Sequence, residues 1–146
     1  MMKLSEAIRL SPLVTKTIYG PVFKRDWRGR VCGACRIGLV AMAAGYRPAR
    51  WLGRPEAWAT ARDCENVYTF INTTWPWTQQ TANSERDCLW FQGVVSYMVY
   101  AHESARLSAE EIATAVEGME AKYDHPVTMD VTPNTAGDAV QLQEVL

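Results

Sequence analysis

The sequence predicts a mainly α protein, a compact single-domain helical bundle with room for a small β-hairpin. Three segments, 32–45, 84–103 and 108–123, carry apolar residues three and four positions apart, the spacing of one helix face. The chain has 146 residues, 48% of them hydrophobic and 21% charged, which suits one globular domain. We therefore expect a globular domain over residues 1–125 and an acidic, flexible tail over residues 126–146.

The N-terminal segment is expected to contain a short helix, a strand and a charged loop. Residues 3–10 are amphipathic, and the Ser11-Pro12 pair interrupts the helix that they predict. Residues 13–19 alternate with period two and are rich in β-branched and aromatic side chains, which predicts a short strand. Residues 23–30 are charged and turn-like, so they form a loop or the tip of a hairpin.

The stretch GRVCGACRIGLVAMAAGY contains a C-x-x-C pair and poses the main chemical question of the sequence. Its apolar residues have the three and four spacing of a helix, with Gly45 as a natural stop. The face that this spacing predicts carries Cys32, Cys35, Leu39, Met42 and Tyr46. The pattern favours two cysteines that pack inward as small apolar residues.

The second half of the chain is expected to be helical. Pro55 can open a helix through residue 71, although residues 67–71 also suit a strand. Segment 84–103 is apolar nearly all round, which predicts a helix at the centre of the core. Ser108 and Glu111 form a capping box that fixes the start of the last helix.

The four cysteines leave a metal or thiol function open as an alternative. A structural zinc site would need all of them, yet they do not come as two close pairs. The residues concerned are Cys32, Cys35, Cys64 and Cys88. Redox chemistry would need a βαβ context, which the sequence lacks. We therefore expect no metal and no cofactor. Motifs of the zincin, nucleophile-elbow, P-loop and dinucleotide-binding types are missing as well.

Charge is divided unevenly along the chain. Residues 1–62 hold 12 Lys and Arg against 3 acids, a net of +9. Residues 63–146 hold 3 Lys and Arg against 13 acids, a net of −10, and together the halves give −1. The halves could neutralise each other by packing. Otherwise the basic half could bind an anion, or the acidic half a host protein.

Two basic segments, 23–30 and 46–58, place arginine beside tryptophan. Guanidinium forks match phosphate and an indole stacks on a base, so the pattern predicts a nucleotide or nucleic-acid site. The predicted ligand-binding residues are Arg25, Trp27, Arg28, Arg30, Arg47, Arg50 and Trp51. The competing interpretation is that Trp27 and Trp51 are half-buried anchors with arginine stems lying along them.

Three stretches, KLSEAIRL, CRIGLVAMAAGY and VVSYMVYAHESARLSAEEIATAVEGME, resemble a family of short, functionally uncharacterised proteins of bacteria and their phages. The resemblance implies a small α-rich fold and a phage-type accessory role, such as counter-defence, in the cytoplasm of a host bacterium. It places the family's helix cysteine on Cys35 and supplies no catalytic residues.

The sequence as a whole predicts a protein that acts by binding rather than by catalysis. An anionic ligand is the first hypothesis, and a protein–protein inhibitor that uses the acidic second half is the alternative. No apolar run approaches the roughly 18 residues of a membrane span, and the first residues lack a signal-peptide core, so a cytoplasmic location is expected.

Overall fold

The computed structural model describes residues 2–79 and 93–124. Within them it contains a two-stranded antiparallel hairpin, two short 3-10 helices and five α-helices. The strands are β1 (Phe23–Arg25) and β2 (Val31–Ala34), and the 3-10 helices are Ser11–Leu13 and Pro76–Gln79. The α-helices are α1 (Leu4–Leu10), α2 (Arg36–Ala43), α3 (Glu56–Thr74), α4 (Val94–Glu103) and α5 (Ala109–Tyr123). The mainly α class with a small hairpin is therefore confirmed.

Helix α2 lies at the centre of the core, in contact with α1, α3 and α4. Its residues Ile37, Leu39 and Val40 are fully buried. Gly38 permits the hairpin to approach, because a Cβ there would lie 2.7 Å from the Val22 carbonyl oxygen and 2.9 Å from the Phe23 ring. The hairpin is thus fixed against the first turns of α2.

Helices α1 and α5 join the two ends of the described domain. The Ser5 amide donates to Glu120 Oε2 at 2.8 Å, and the Ser5 hydroxyl donates to Glu120 Oε1 at 2.7 Å. The amides of a first helical turn have no partner within the helix, so this carboxylate stabilises the start of α1. Arg9 adds ion pairs of 2.9 Å with Glu110 and with Glu117.

The predicted helix over residues 32–45 starts too early, because residues 31–34 pair with β1 instead. Phe23 lies opposite Ala34, and Lys24 opposite Gly33. Cys32 is consequently an exposed strand residue, whereas Cys35 is the buried residue that precedes α2. The two cysteines therefore do not share a helix face, and that part of the prediction is wrong.

The predicted strand over residues 13–19 is also wrong. A 3-10 turn covers its start, and in this segment only Thr17 makes a bridge, to Ala34 of β2. Residues 67–71 belong to α3, which decides the earlier ambiguity in favour of a helix. Both reciprocal hydrogen bonds of the capping box of α5 are present, at 2.8 and 3.1 Å.

Parts of the sequence prediction lie outside the described residues. They are the first part of helix 84–103, Cys88 and the tail over residues 126–146. None of the described helices combines the length and apolarity that crossing a membrane requires.

Candidate functional site

Two of the predicted ligand-binding residues, Arg25 and Trp51, converge on Asp63 of α3. Arg25 Nη1 and Nη2 donate to the two Asp63 oxygens at 2.5 and 3.0 Å, and Trp51 Nε1 donates at 2.8 Å. The side chain of Asp63 is 1% exposed and that of Arg25 is 10% exposed. Arg25 also donates to the Ala49 carbonyl at 2.7 Å. This buried cluster fastens the hairpin and the following loop to α3, so its polar groups are already engaged.

The tip of the hairpin carries three further predicted residues. The Asp26 carboxylate accepts the amides of Arg28 and Arg30 at 2.9 and 3.0 Å, and these hydrogen bonds lower the pKa of Asp26. Arg30 also pairs with Asp26 at 3.5 Å. Trp27 projects from this turn with 82% of its surface exposed, and the Arg28 guanidinium lies 4.7 Å from its ring centre.

The loop between α2 and α3 continues the same surface. Arg50 Nη2 donates to the Arg28 carbonyl at 2.6 Å. Leu52 lies against the turn, since a Cβ at Gly29 would be 2.8 Å from its side chain. Beyond it, Arg54 lies 5.0 Å from the ring of Trp58. We call the exposed residues of the hairpin, the following loop and the start of α3 the hairpin-tip surface; it comprises Lys24, Trp27, Arg28, Arg30, Arg47, Arg50, Leu52, Arg54 and Trp58, and Arg47 is an exposed residue of that loop for which no contact with the hairpin is seen.

Most cations of the hairpin-tip surface have no acidic partner within residues 2–79 and 93–124. Lys24, Arg28, Arg47, Arg50 and Arg54 form no salt bridge with a described residue. Three basic side chains of the first half pair with described acids of the second half, and they are Arg9, Arg25 and Arg62. Most of the 12 basic side chains of the first half are therefore not neutralised by described acids of the second half.

A second site, which the sequence analysis missed, is a cavity of about 150 Å³ between the base of the hairpin and helices α2, α3 and α4. Arg36, only 6% exposed, lines it and donates from Nη1 to the Ser11 hydroxyl at 2.7 Å. His102, 1% exposed, lines it as well, with Nε2 at 2.8 Å from the Ile18 carbonyl oxygen. Arg36 Nε and His102 Nδ1 are buried and have no hydrogen-bond partner among the described residues.

Burial controls the ionisation of the groups around this cavity. It lowers the pKa of His102, which therefore stays neutral at neutral pH. It also raises the pKa of Cys35 to about 11, against the opposing effect of the amides of Ile37 and Gly38. The pKa of Cys64 is raised by burial too. These thiols are therefore protonated and weakly nucleophilic at neutral pH.

The described cysteines do not form a metal centre. Cys32, Cys35 and Cys64 are free, and no group of three Cys, His, Asp or Glu in the described part of the chain is arranged to hold a metal ion. The sequence did carry a signal for the cavity. Arg36 is the sole charged residue between positions 31 and 46, and a charge in so apolar a segment often has a specific partner.

No family model, curated protein or solved structure matches this chain. The resemblance to short phage-type proteins thus stays a prediction, and function is inferred from the two sites alone.

Proposed function

We propose that the protein binds single-stranded nucleic acid through the hairpin-tip surface. The observation that carries this proposal is Trp27, which is 82% exposed at the end of a turn fixed by Asp26. A large aromatic side chain held so far from the core suits an interaction surface. Base stacking on an exposed indole contributes roughly 1–3 kcal/mol per base.

The cations of the hairpin-tip surface support a polyanionic ligand. Five of them, Lys24, Arg28, Arg47, Arg50 and Arg54, lack a described acidic partner. Arginine can donate two parallel hydrogen bonds to a phosphate group, and a row of such residues follows a nucleic-acid backbone. The surface therefore combines a stacking platform with phosphate-binding groups, as single-strand binding requires.

A polymer suits this surface better than a mononucleotide. A cavity of about 320 Å³ beside this surface has a mixed lining, with Lys24, Arg25 and Arg54 but also Glu56 and Asp63. Arg25 is already paired with Asp63 in this cavity. A phosphate group that entered it would therefore be repelled by the carboxylate of Glu56. Of the five cations without a described acidic partner, Lys24 and Arg54 line this cavity, whereas Arg28, Arg47 and Arg50 do not, so a ligand must extend beyond the cavity to meet all of them.

Fluorescence anisotropy with labelled single-stranded DNA and RNA at several salt concentrations tests the proposal. Trp27→Ala should weaken binding by roughly 5- to 150-fold, the equivalent of losing one stacked base. Arg28→Ala and Arg50→Ala should each reduce the slope of log K against log salt by about 0.7. No binding by the parent protein at low salt would refute the proposal.

Two matched controls lie outside the surface. Tyr100→Ala removes an exposed aromatic ring of α4, and Lys16→Ala removes an exposed cation that precedes the hairpin. Both variants should retain the affinity of the parent. If Trp27→Ala binds as tightly as Tyr100→Ala, stacking on the tip is not the mode of binding.

The acidic half offers less support for the alternative, a protein inhibitor. Five of its six described acids beyond residue 92 are engaged in hydrogen bonds within the domain. Glu120 is bound to Ser5, Glu103 to Gly20, and Glu111 to Ser108, while Glu110 and Glu117 hold Arg9. The acidic tail that the alternative invokes lies outside the described residues.

A further inference from the structure

The cavity of about 320 Å³ beside the hairpin-tip surface, which we call the α3 pocket, has one wall built by a single face of α3. Glu56, Ala59, Thr60 and Asp63 form this wall, with the three and four spacing of neighbours on a helix surface. Ala59 lies between Glu56 and Asp63 on this face, and its small side chain leaves the space open. The volume is at the lower end of the range for ligand pockets, about 300–1,000 Å³, so the pocket admits one nucleobase with its sugar rather than a run of bases.

Two polar groups of this wall are available to a ligand. Asp63 is already bound by Arg25 and Trp51, whereas Glu56 forms no hydrogen bond or ion pair with a described residue, and neither does the Thr60 hydroxyl. Glu56 is exposed and Thr60 is partly exposed, and both line the pocket. They lie four residues apart in α3, so their Cβ atoms are about 6 Å apart and the two side chains can contact adjacent atoms of one ligand.

Aromatic and cationic side chains complete the α3 pocket. The ring of Trp51 has a fixed orientation, because its Nε1 donates to Asp63 at 2.8 Å and the ring of Trp58 packs edge-on against it at 5.0 Å. Lys24 and Arg54, both exposed, line the pocket as well. A fixed aromatic wall suits a planar base, and the two cations suit the phosphate groups on either side of that base.

We propose that the α3 pocket binds a guanine base of the single strand, an inference that rests on the proposed nucleic-acid function. The Watson–Crick edge of guanine presents two adjacent donors, N2–H and N1–H, followed by the O6 acceptor. The Glu56 carboxylate accepts from both donors, and the Thr60 hydroxyl donates to O6. Thymine and uracil present one N–H between two acceptors, and adenine and cytosine present an amino group beside an acceptor nitrogen. A carboxylate can only accept, so it repels each of those acceptor atoms.

Fluorescence anisotropy with oligothymidines that carry one variable central base tests the proposal. The central bases are guanine, hypoxanthine, which is guanine without its 2-amino group, and thymine as the reference. The guanine oligonucleotide should bind about 5- to 150-fold more tightly than oligothymidine, the range for one bidentate base contact. The hypoxanthine oligonucleotide should bind about tenfold more weakly than the guanine one, because it loses one hydrogen bond to Glu56.

Two variants of the wall assign the contacts. Glu56→Gln replaces one acceptor oxygen by a donor and removes a negative charge, so it should weaken guanine binding about tenfold and slightly strengthen oligothymidine binding. A purely electrostatic role of Glu56 would strengthen both. Thr60→Val should weaken the guanine and hypoxanthine oligonucleotides equally, since O6 is common to both bases. Glu65→Gln, at an exposed position of α3 outside the pocket, is the matched control and should leave the ratio of guanine to thymine affinity unchanged.

Filling the α3 pocket provides an independent test. Ala59→Leu should abolish the preference for guanine, whereas Ala57→Leu, at an exposed position of α3 outside the pocket, should retain it. Circular dichroism establishes that both variants are folded. Equal affinities of the parent protein for guanine and thymine, or for guanine and hypoxanthine, would overturn the guanine site, although binding of oligothymidine would still support the proposed function. Binding of no oligonucleotide at low salt would overturn both proposals.

Discussion

Replacing Asp63 by Ala should destabilise the protein strongly, because Asp63 is the shared partner of the hairpin and the loop before α3. The substitution leaves Arg25 without a counter-ion in a nearly buried position, and it deprives Trp51 Nε1 of its acceptor. Breaking one side of a buried ion pair costs about 3–5 kcal/mol. The Ala49 carbonyl still accepts from Arg25, so we expect the lower part of that range, about 3 kcal/mol.

Urea denaturation, followed by tryptophan fluorescence and by far-ultraviolet circular dichroism, measures this loss. With a slope of about 1.5 kcal/mol per molar urea, a loss of 3 kcal/mol lowers the midpoint by about 2 M. Glu65→Ala is the matched control on α3, since its pair with Arg62 is exposed and should contribute less than about 1 kcal/mol. A loss below about 1 kcal/mol for Asp63→Ala would refute the structural role of the cluster.

A double substitution separates the cost of an unpaired charge from the value of the pair. Arg25→Met combined with Asp63→Leu removes both charges and should recover much of the stability lost by Asp63→Ala. If the double variant is as unstable as the sum of its single variants, the two side chains are not coupled, contrary to their contact.

Two further predictions follow from the pKa shifts. The pKa of His102 is lowered on folding, so the unfolded chain takes up a proton more readily than the folded chain. The free energy of unfolding should therefore fall as the pH drops below about 6.5, with a slope of at most about 1.4 kcal/mol per pH unit. Urea midpoints between about pH 7 and pH 5 should show this loss in a His125→Gln background, where His102 is the one histidine, and His102→Gln should remove that component. Iodoacetamide at about pH 8 should modify exposed Cys32 rapidly and leave Cys35 unmodified, since a pKa of about 11 keeps roughly one thiol in a thousand ionised. Peptide mapping by mass spectrometry distinguishes the two, and equal rates would contradict the burial of Cys35.

Features fixed by neighbouring residues could be predicted from the sequence. The capping box of Ser108 and Glu111 spans three positions, and the structure contains both of its hydrogen bonds. The helical interpretation of the segment after Pro55 is confirmed for the same reason, because helical hydrogen bonds join residues four apart. Local signals of this kind need no knowledge of the rest of the fold.

Features that depend on distant partners could not be predicted. Cys32 has the spacing of the α2 face, but pairing with β1 draws it into a strand. Residues 13–19 alternate like a strand, yet a strand needs a neighbour along its length, and Thr17 alone finds one in this segment. Arginine and tryptophan composition identified the candidate surface. It could not reveal that Asp63, 38 residues from Arg25, would engage two of the predicted residues.

The hairpin places the two candidate sites at its opposite ends. Trp27 and Arg28 lie at the tip, whereas Val22, whose carbonyl accepts the Cys35 amide at 2.9 Å, lies at the base beside the cavity. Asp26 lies four residue steps beyond Val22 along extended chain, a span of about 13 Å. Exposed charges farther apart than the Debye length of about 8 Å are largely screened at physiological salt. The cations at the tip are exposed and lie beyond this distance from the base of the hairpin, so Arg28→Ala should weaken nucleic-acid binding and leave the pH dependence of stability that arises from His102 unchanged.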